Sequence, residues 1–144
     1  MVTISLCMIV KNEERVLGRC LESVQEIADE IIIVDTGSED RTKEIAEKYH
    51  ARVYEQEWQD DFSRARNYSF SRAEMDYCMW LDADDIITKS EVLKLKHWKE
   101  ETDGSSDVIM LRYVTDFDEK RNPTLVYYRE RIVKRDKNPQ WQGR

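Results

Sequence analysis

Three short apolar runs, each cut off by an acid-rich polar turn, constrain this chain more than any other feature. Ile4 to Val10 ends at Lys11-Asn12-Glu13-Glu14. Ile31 to Val34 ends at Asp35-Thr36-Gly37-Ser38-Glu39-Asp40. Tyr77 to Leu81 ends at Asp82-Ala83-Asp84-Asp85. Runs of four to eight apolar, β-branched residues bounded by turn signals read as buried strands. Helical patterns lie between them. Val16, Leu17, Cys20, Leu21 and Val24 recur at helical spacing, which gives one apolar face. Ser38 is placed to cap a second helix reaching Tyr49, with Glu39 and Asp40 in its first turn. Asp61 to Ala73 reads as a third helix, capped by Asp61 or Ser63. Thr88-Lys89-Ser90-Glu91 has the form of a capping box opening a fourth helix, to about Glu101. Arg52 to Glu55 reads as a short strand, and Val108 to Val114 with Thr124 to Lys134 as a hairpin around the polar turn Asp118 to Pro123. Strands alternating with helices predict an α/β fold: a mostly parallel sheet flanked by helices, with a C-terminal antiparallel hairpin.

The 144 residues fit one domain, 1–144, with enough chain to bury a core. A net charge of −7 argues against a nucleic-acid-backbone partner, which requires a net cationic face. Charge is uneven: residues 112–144 carry nine basic and five acidic side chains, against 14 basic and 25 acidic in residues 1–111. No apolar run approaches a membrane span, and Met1 to Val10 lacks the basic leader of a secretory signal. Cys7, Cys20 and Cys78 form no CxxC pair and are expected to be buried, reduced thiols of a cytoplasmic protein.

Ligands of open parallel sheets gather outside the carboxyl ends of the strands. Glu13 and Glu14, Asp35, and Asp82, Asp84 and Asp85 all fall at such ends. Acids crowded on one rim repel each other unless something cationic or hydrogen-bond-donating joins them. Asp82 and Asp84, two residues apart in an extended segment, would point the same way. Two hard oxygen donors at that spacing suit Mg²⁺ or Mn²⁺ held together with a diphosphate. Other chemistries fail on the residues. The segment from Asp35 has Asp40 and Ala46 where a calcium loop needs Gly and Glu. There is no GxGxxG and no GxxxxGK[ST]. His50 and His97 read as surface residues.

Four linked motifs are similar to those of the family 2 glycosyltransferases of GT-A (Rossmann-like) fold. They are Ser5-Leu-Cys-Met-Ile-Val-Lys-Asn-Glu-Glu14, Ile31-Ile-Ile-Val-Asp-Thr-Gly-Ser-Glu-Asp-Arg-Thr42, Asp61-Phe-Ser-Arg-Ala-Arg-Asn67 and Trp80-Leu-Asp-Ala-Asp-Asp85. The match covers about residues 3–87 in order and spacing, and is looser after Val108. The resemblance implies a nucleotide-sugar donor, usually a UDP-sugar, and inverting transfer to an acceptor that could be glycan, lipid or peptide. Asp35 would accept a hydrogen bond from the base, and Val10, Lys11 and Glu14 would line base and ribose. Arg66 would reach the nucleotide, Asp82 would lie near ribose and metal, and Asp84 would bind the metal.

Inverting transfer needs a general base, and the resemblance assigns none here. Glu130 and Asp136 are the late acidic candidates for that base. The tail Asn138-Pro-Gln-Trp-Gln-Gly-Arg144 is similar to a segment that in one branch of the family runs into a His-Glu pair. The expectation is therefore a domain truncated on its acceptor side, with residues 1–111 binding the donor and 112–144 beginning the acceptor part. A nucleotide-sugar-binding module without transferase activity is the alternative. A nucleotidyltransferase is disfavoured, because no glycine-rich basic loop stands near the N-terminus. The basic stretch Arg129 to Lys137 is a candidate contact for an anionic membrane surface at the inner face of the membrane.

Overall fold

A computed structural model describes the backbone of residues 1–117, 119–120, 123–137 and 139–141, and their side chains outside 112–117, 123–128 and 137. Six strands form one sheet: β1 (Ile4–Val10), β2 (Glu30–Asp35), β3 (Arg52–Glu55), β4 (Tyr77–Trp80), β5 (Val108–Phe117) and β6 (Pro123–Lys134). Their order is β3-β2-β1-β4-β6-β5. β1 pairs in parallel with β2 and β4, and β2 with β3. β6 runs antiparallel to both β4 and β5. The expected parallel sheet with a late hairpin is the observed one. The turn residues 118, 121 and 122 lie outside the described set.

Side-chain alternation sorts the strands into two cores. Ile4, Leu6, Met8 and Val10 of β1, Ile31 and Ile33 of β2, and Tyr77 and Met79 of β4 face one side. There they meet Leu17, Cys20, Leu21 and Val24 of α1 (Leu17–Val24), Ala46 of α2 (Thr42–Lys48), and Val92 and Leu95 of α4 (Lys89–Glu101). Cys7, Ile32, Cys78 and Trp80 face the other side, against Phe70 of α3 (Phe62–Ser71) and Ala73 just beyond it. All three cysteines are buried and unpaired by disulfides, as expected. Among the described residues no helix is long and apolar enough to cross a membrane.

Two helix starts differ from the sequence reading. α1 begins at Leu17 rather than at residues 11–14, and α2 at Thr42 rather than after Ser38. The reason is a mutual capping of the two loops that precede them. Ser38 Oγ accepts from the Asn12 N–H at 2.9 Å, and Asn12 Oδ1 accepts from Glu39 at 2.8 Å. The Glu13 N–H donates to Thr42 Oγ1 at 2.8 Å, the Glu14 N–H to Asp40 Oδ2 at 3.2 Å, and the Arg41 N–H to Glu14 Oε2 at 3.1 Å. Donors that a helix start would leave open are satisfied across the loops. Asp61 and Thr88 do cap α3 and α4, accepting from Arg64 and Glu91.

One buried ion pair ties α4 to the sheet. Lys99, 4% exposed, donates to Asp29 Oδ2 at 2.6 Å and to the Ile27 carbonyl at 2.9 Å. The same Asp29 oxygen accepts from the Ile4 N–H at 2.8 Å. Removing one partner strands a buried charge. Asp29→Ala is therefore expected to lower stability by about 3 kcal/mol, read as a fall in the urea midpoint at unchanged slope.

Candidate functional site

The strand order reverses direction at β1, whose neighbours are β2 on one side and β4 on the other. The rim outside the carboxyl ends of these strands is where an open α/β sheet takes its ligand. Asp35 is the last residue of β2, aligned with Val10 of β1 and Glu55 of β3. It is 2% exposed. Its Oδ1 accepts from the Gly37 and Ser38 N–H groups at 2.9 and 2.7 Å. Gly37 sits at φ 119°, where a side chain would be strained. Asp35 Oδ2 is buried and has no hydrogen-bond partner among the described residues. A buried acceptor without a donor is costly, so this oxygen is the most informative atom of the rim.

The other acids arrive from β4. Residues 82–85 form a turn, not the extended segment expected from the sequence: the Asp85 N–H donates to the Asp82 carbonyl at 2.9 Å, and the Asp82 N–H to Asp85 Oδ2 at 2.8 Å. Ala83 points into the core at 5% exposure, while Asp84 stands exposed. Two arginines hold this turn. Arg66 Nη2 lies 3.3 Å from Asp82 Oδ1, and the buried Arg131 donates to Asp85 Oδ2 at 3.0 Å and to the Trp80 carbonyl at 3.3 Å. Both guanidiniums lie over the Trp80 ring, Arg66 at 4.8 Å and Arg131 at 4.0 Å from its centroid. Weak hydration and a flat face let arginine be buried this way.

The rim acids sense one another. The Glu13 carboxyl is pushed above its ordinary range, first by burial and then by Asp84, Asp40 and Asp82. The Cys20 thiol, beneath the turn, is pushed up to about 12 by burial, then by Asp85, Asp82 and Asp84. It lies 3.7 Å from the Asp82 carbonyl, to which it donates.

The residues named from sequence thus divide. Asp35 ends β2 at the rim, and Asp82, Asp84, Lys11 and Glu14 lie in rim turns, Lys11 exposed and Glu14 engaged with Arg41 and Asp40. Arg66 reaches the rim from α3 through its pair with Asp82. Val10 differs from the rest: its side chain packs in the core, and its carbonyl accepts from the Thr36 N–H at 3.0 Å. Of the late acids, Glu130 lies toward the carboxyl end of β4, where its carbonyl accepts from the Trp80 indole at 2.8 Å. Asp136 lies beyond Lys134, which pairs with Tyr77 at the opposite end of β4. Of the tail motif, residues 138 and 142–144 lie outside the described set. Arg131 and Trp141 join the site with no role read from the sequence, and Asp85, one of the expected rim acids, is held by Arg131.

Among the described residues no three His, Cys, Asp or Glu side chains gather as a ready metal cage. The turn carries three carboxylates: Asp85 is held by Arg131, Asp82 is paired with Arg66 through one oxygen, and Asp84 is exposed, with Glu13 electrostatically close. Mg²⁺ and Mn²⁺ are hard ions that take oxygen ligands, and Mg²⁺ typically uses one or two carboxylates together with phosphate oxygens. The donor set fits such an ion.

A sheet of this order, with its polar groups gathered at the switch point, defines the class of open α/β domains that take ligands at that rim. Within that class, the Glycosyl transferase family 2 model matches residues 5–143, and the chain belongs to that family. It is 46% identical over 100 residues to a TPR repeat-containing protein of Synechococcus elongatus, covering 69% of this chain and 23% of that protein. The chain thus spans about a quarter of that relative's length. The fold is similar to the S. aureus TarS 1-349 fragment in complex with UDP, with a TM-score of 0.65 at 24% identity, over 85% of this chain and 38% of the other. It is also similar to glucosyl-3-phosphoglycerate synthase of Mycobacterium tuberculosis in complex with Mn²⁺, UDP and glucosyl-3-phosphoglycerate. That likeness has a TM-score of 0.51 at 25% identity, over 57% of this chain and 33% of the other.

A carboxyl whose pKa is raised by folding subtracts stability once it ionises. That loss is absent at low pH and sets in as pH rises toward and through the folded pKa. Glu13→Gln is therefore expected to raise the melting temperature near pH 7, with the gain gone at about pH 3, below the ordinary carboxylate range. Paired thermal melts at the two pH values check this.

Proposed function

We propose that this chain is the donor-binding portion of an inverting glycosyltransferase that takes a nucleotide-sugar, in the first instance a UDP-sugar, together with Mg²⁺ or Mn²⁺. The observation that carries the reading is the buried, unpartnered Oδ2 of Asp35 at the switch-point rim. A base N–H is a donor of the right kind for it. Val10, Lys11 and Glu14 would line the base and ribose around that oxygen. Arg66 holds Asp82 in place and would in turn lie near the nucleotide. Asp84, exposed at the tip of the turn, and Asp82 would hold the divalent ion. When bound, that ion would offset the charge of the departing nucleoside diphosphate. The Mn²⁺ and UDP of the mycobacterial synthase complex support this pairing of metal and donor.

In the transfer, the bond from the anomeric carbon to the diphosphate oxygen breaks, and its electron pair leaves with the nucleoside diphosphate. An acceptor oxygen bonds the same carbon from the opposite face and gives up its proton to a base. No described residue is assigned as that base. This favours keeping a second reading, a donor-binding module that lacks transfer activity of its own. The acceptor, which could be glycan, lipid or peptide, and any contact of the basic Arg129 to Lys137 stretch with an anionic membrane surface belong to the same proposal.

Calorimetric titration with UDP tests the donor site. Binding is expected with Mn²⁺ and markedly weaker without it, and Asp84→Asn is expected to weaken the metal-dependent binding by about tenfold or more. Equal binding by the variant would remove the metal role. Turnover of a labelled UDP-sugar panel then separates transferase from binding module.

A further inference from the structure

Among the described residues, Asn67 of α3 holds the C-terminal stretch by two hydrogen bonds to one residue. Asn67 Nδ2 donates to the Trp141 carbonyl at 3.0 Å, and Asn67 Oδ1 accepts from the Trp141 N–H at 2.6 Å. An amide that offers both donor and acceptor to one residue's main chain imitates a strand partner and fixes that residue in place. The residue fixed here has its indole on Arg66: the guanidinium carbon lies 4.8 Å from the Trp141 ring and 4.8 Å from the Trp80 ring. The two indoles meet edge to face at 5.1 Å, and Phe70 supports Trp141 at 6.1 Å. Arg66 thus lies against both rings, with Nη2 reaching Asp82 Oδ1.

We propose that Asn67 is a positioning residue of the donor site. Through the main chain of Trp141 it closes an aromatic clamp on Arg66, and so holds Asp82 in the orientation that metal-bound nucleotide requires. The inference rests on the donor reading above and adds a chain of dependence running from Asn67 to Trp141, to Arg66, to Asp82. The clamp also makes donor affinity depend on a segment some 74 residues away in the sequence. Asn67 touches no donor in this scheme and acts only through the Trp141 main chain.

The test is a double-mutant cycle read by calorimetry with UDP, with and without Mn²⁺. Asn67→Ala removes the fastening and Trp141→Ala removes the indole. Each is expected to lower the metal-dependent affinity about tenfold, and the double variant by no more than either alone, since both break one chain of contacts. Trp141→Phe keeps an aromatic face and is expected to restore most of the affinity. Wild-type protein that binds no UDP with Mn²⁺ would overturn the donor reading and this inference with it. Wild-type binding accompanied by unchanged affinity in both single variants, or by losses that add in the double variant, would overturn the clamp alone. If Asn67→Ala does not fold, the Trp141→Ala and Trp141→Phe pair decides: equal loss in both overturns the clamp, and rescue by Phe supports it.

Discussion

Carboxylates crowded at the mouth of a sheet can share that space only if cations stand behind them, and here those cations are arginines seated on one indole. Arg131 and Arg66 both lie over Trp80, and each holds one end of the turn that follows β4: Arg131 takes Asp85, Arg66 takes Asp82. With its two ends neutralised, the turn can bury Ala83 and leave Asp84 facing outward. Among the described residues, Asp84 is the exposed acid of this turn. Burial first, and then Asp84, Asp40 and Asp82, push the Glu13 carboxyl up, so the charge of the turn is felt across the rim.

The second support is the lacing of the loops before α1 and α2. The N-cap residues Val16 and Arg41 make no side-chain cap bond; Asp40 accepts from the Thr42 N–H at the start of α2, and each loop supplies acceptors to the other. The effect is a pair of mutually dependent turns beside Asp35, whose own Oδ1 already accepts from Gly37 and Ser38. Order is thereby established before any ligand arrives, which reduces the entropy lost on binding.

Much of this was legible in the residues. The strands declared themselves because burial on both faces requires unbroken apolar runs, as in Ile31 to Val34. The caps at Asp61 and Thr88 were readable because the acceptor and its N–H lie three residues apart. The starts of α1 and α2 were not, since their donors are satisfied by partners 26 to 29 residues away, which no local pattern encodes. The two carboxylates of Asp82 and Asp84 were visible as a motif, but the turn that separates them depends on Arg131, 46 residues beyond Asp85. Trp141 was seen only as part of a tail motif, because its contact with Arg66 exists only once α3 and the C-terminal stretch are packed together.

The outermost strand carries a further consequence. β5 and β6 are paired with three register shifts, after Ile109, Val114 and Asp116. Irregular pairing of this kind coils a ribbon and spoils the flat, evenly spaced row of amide groups that another chain would need to continue the sheet. Val108 and Met110 show their side chains to solvent there, next to Ile109 and Leu111, which pack inward. A uniform ladder carrying those two side chains would offer a continuous template for a further strand; the three shifts interrupt it.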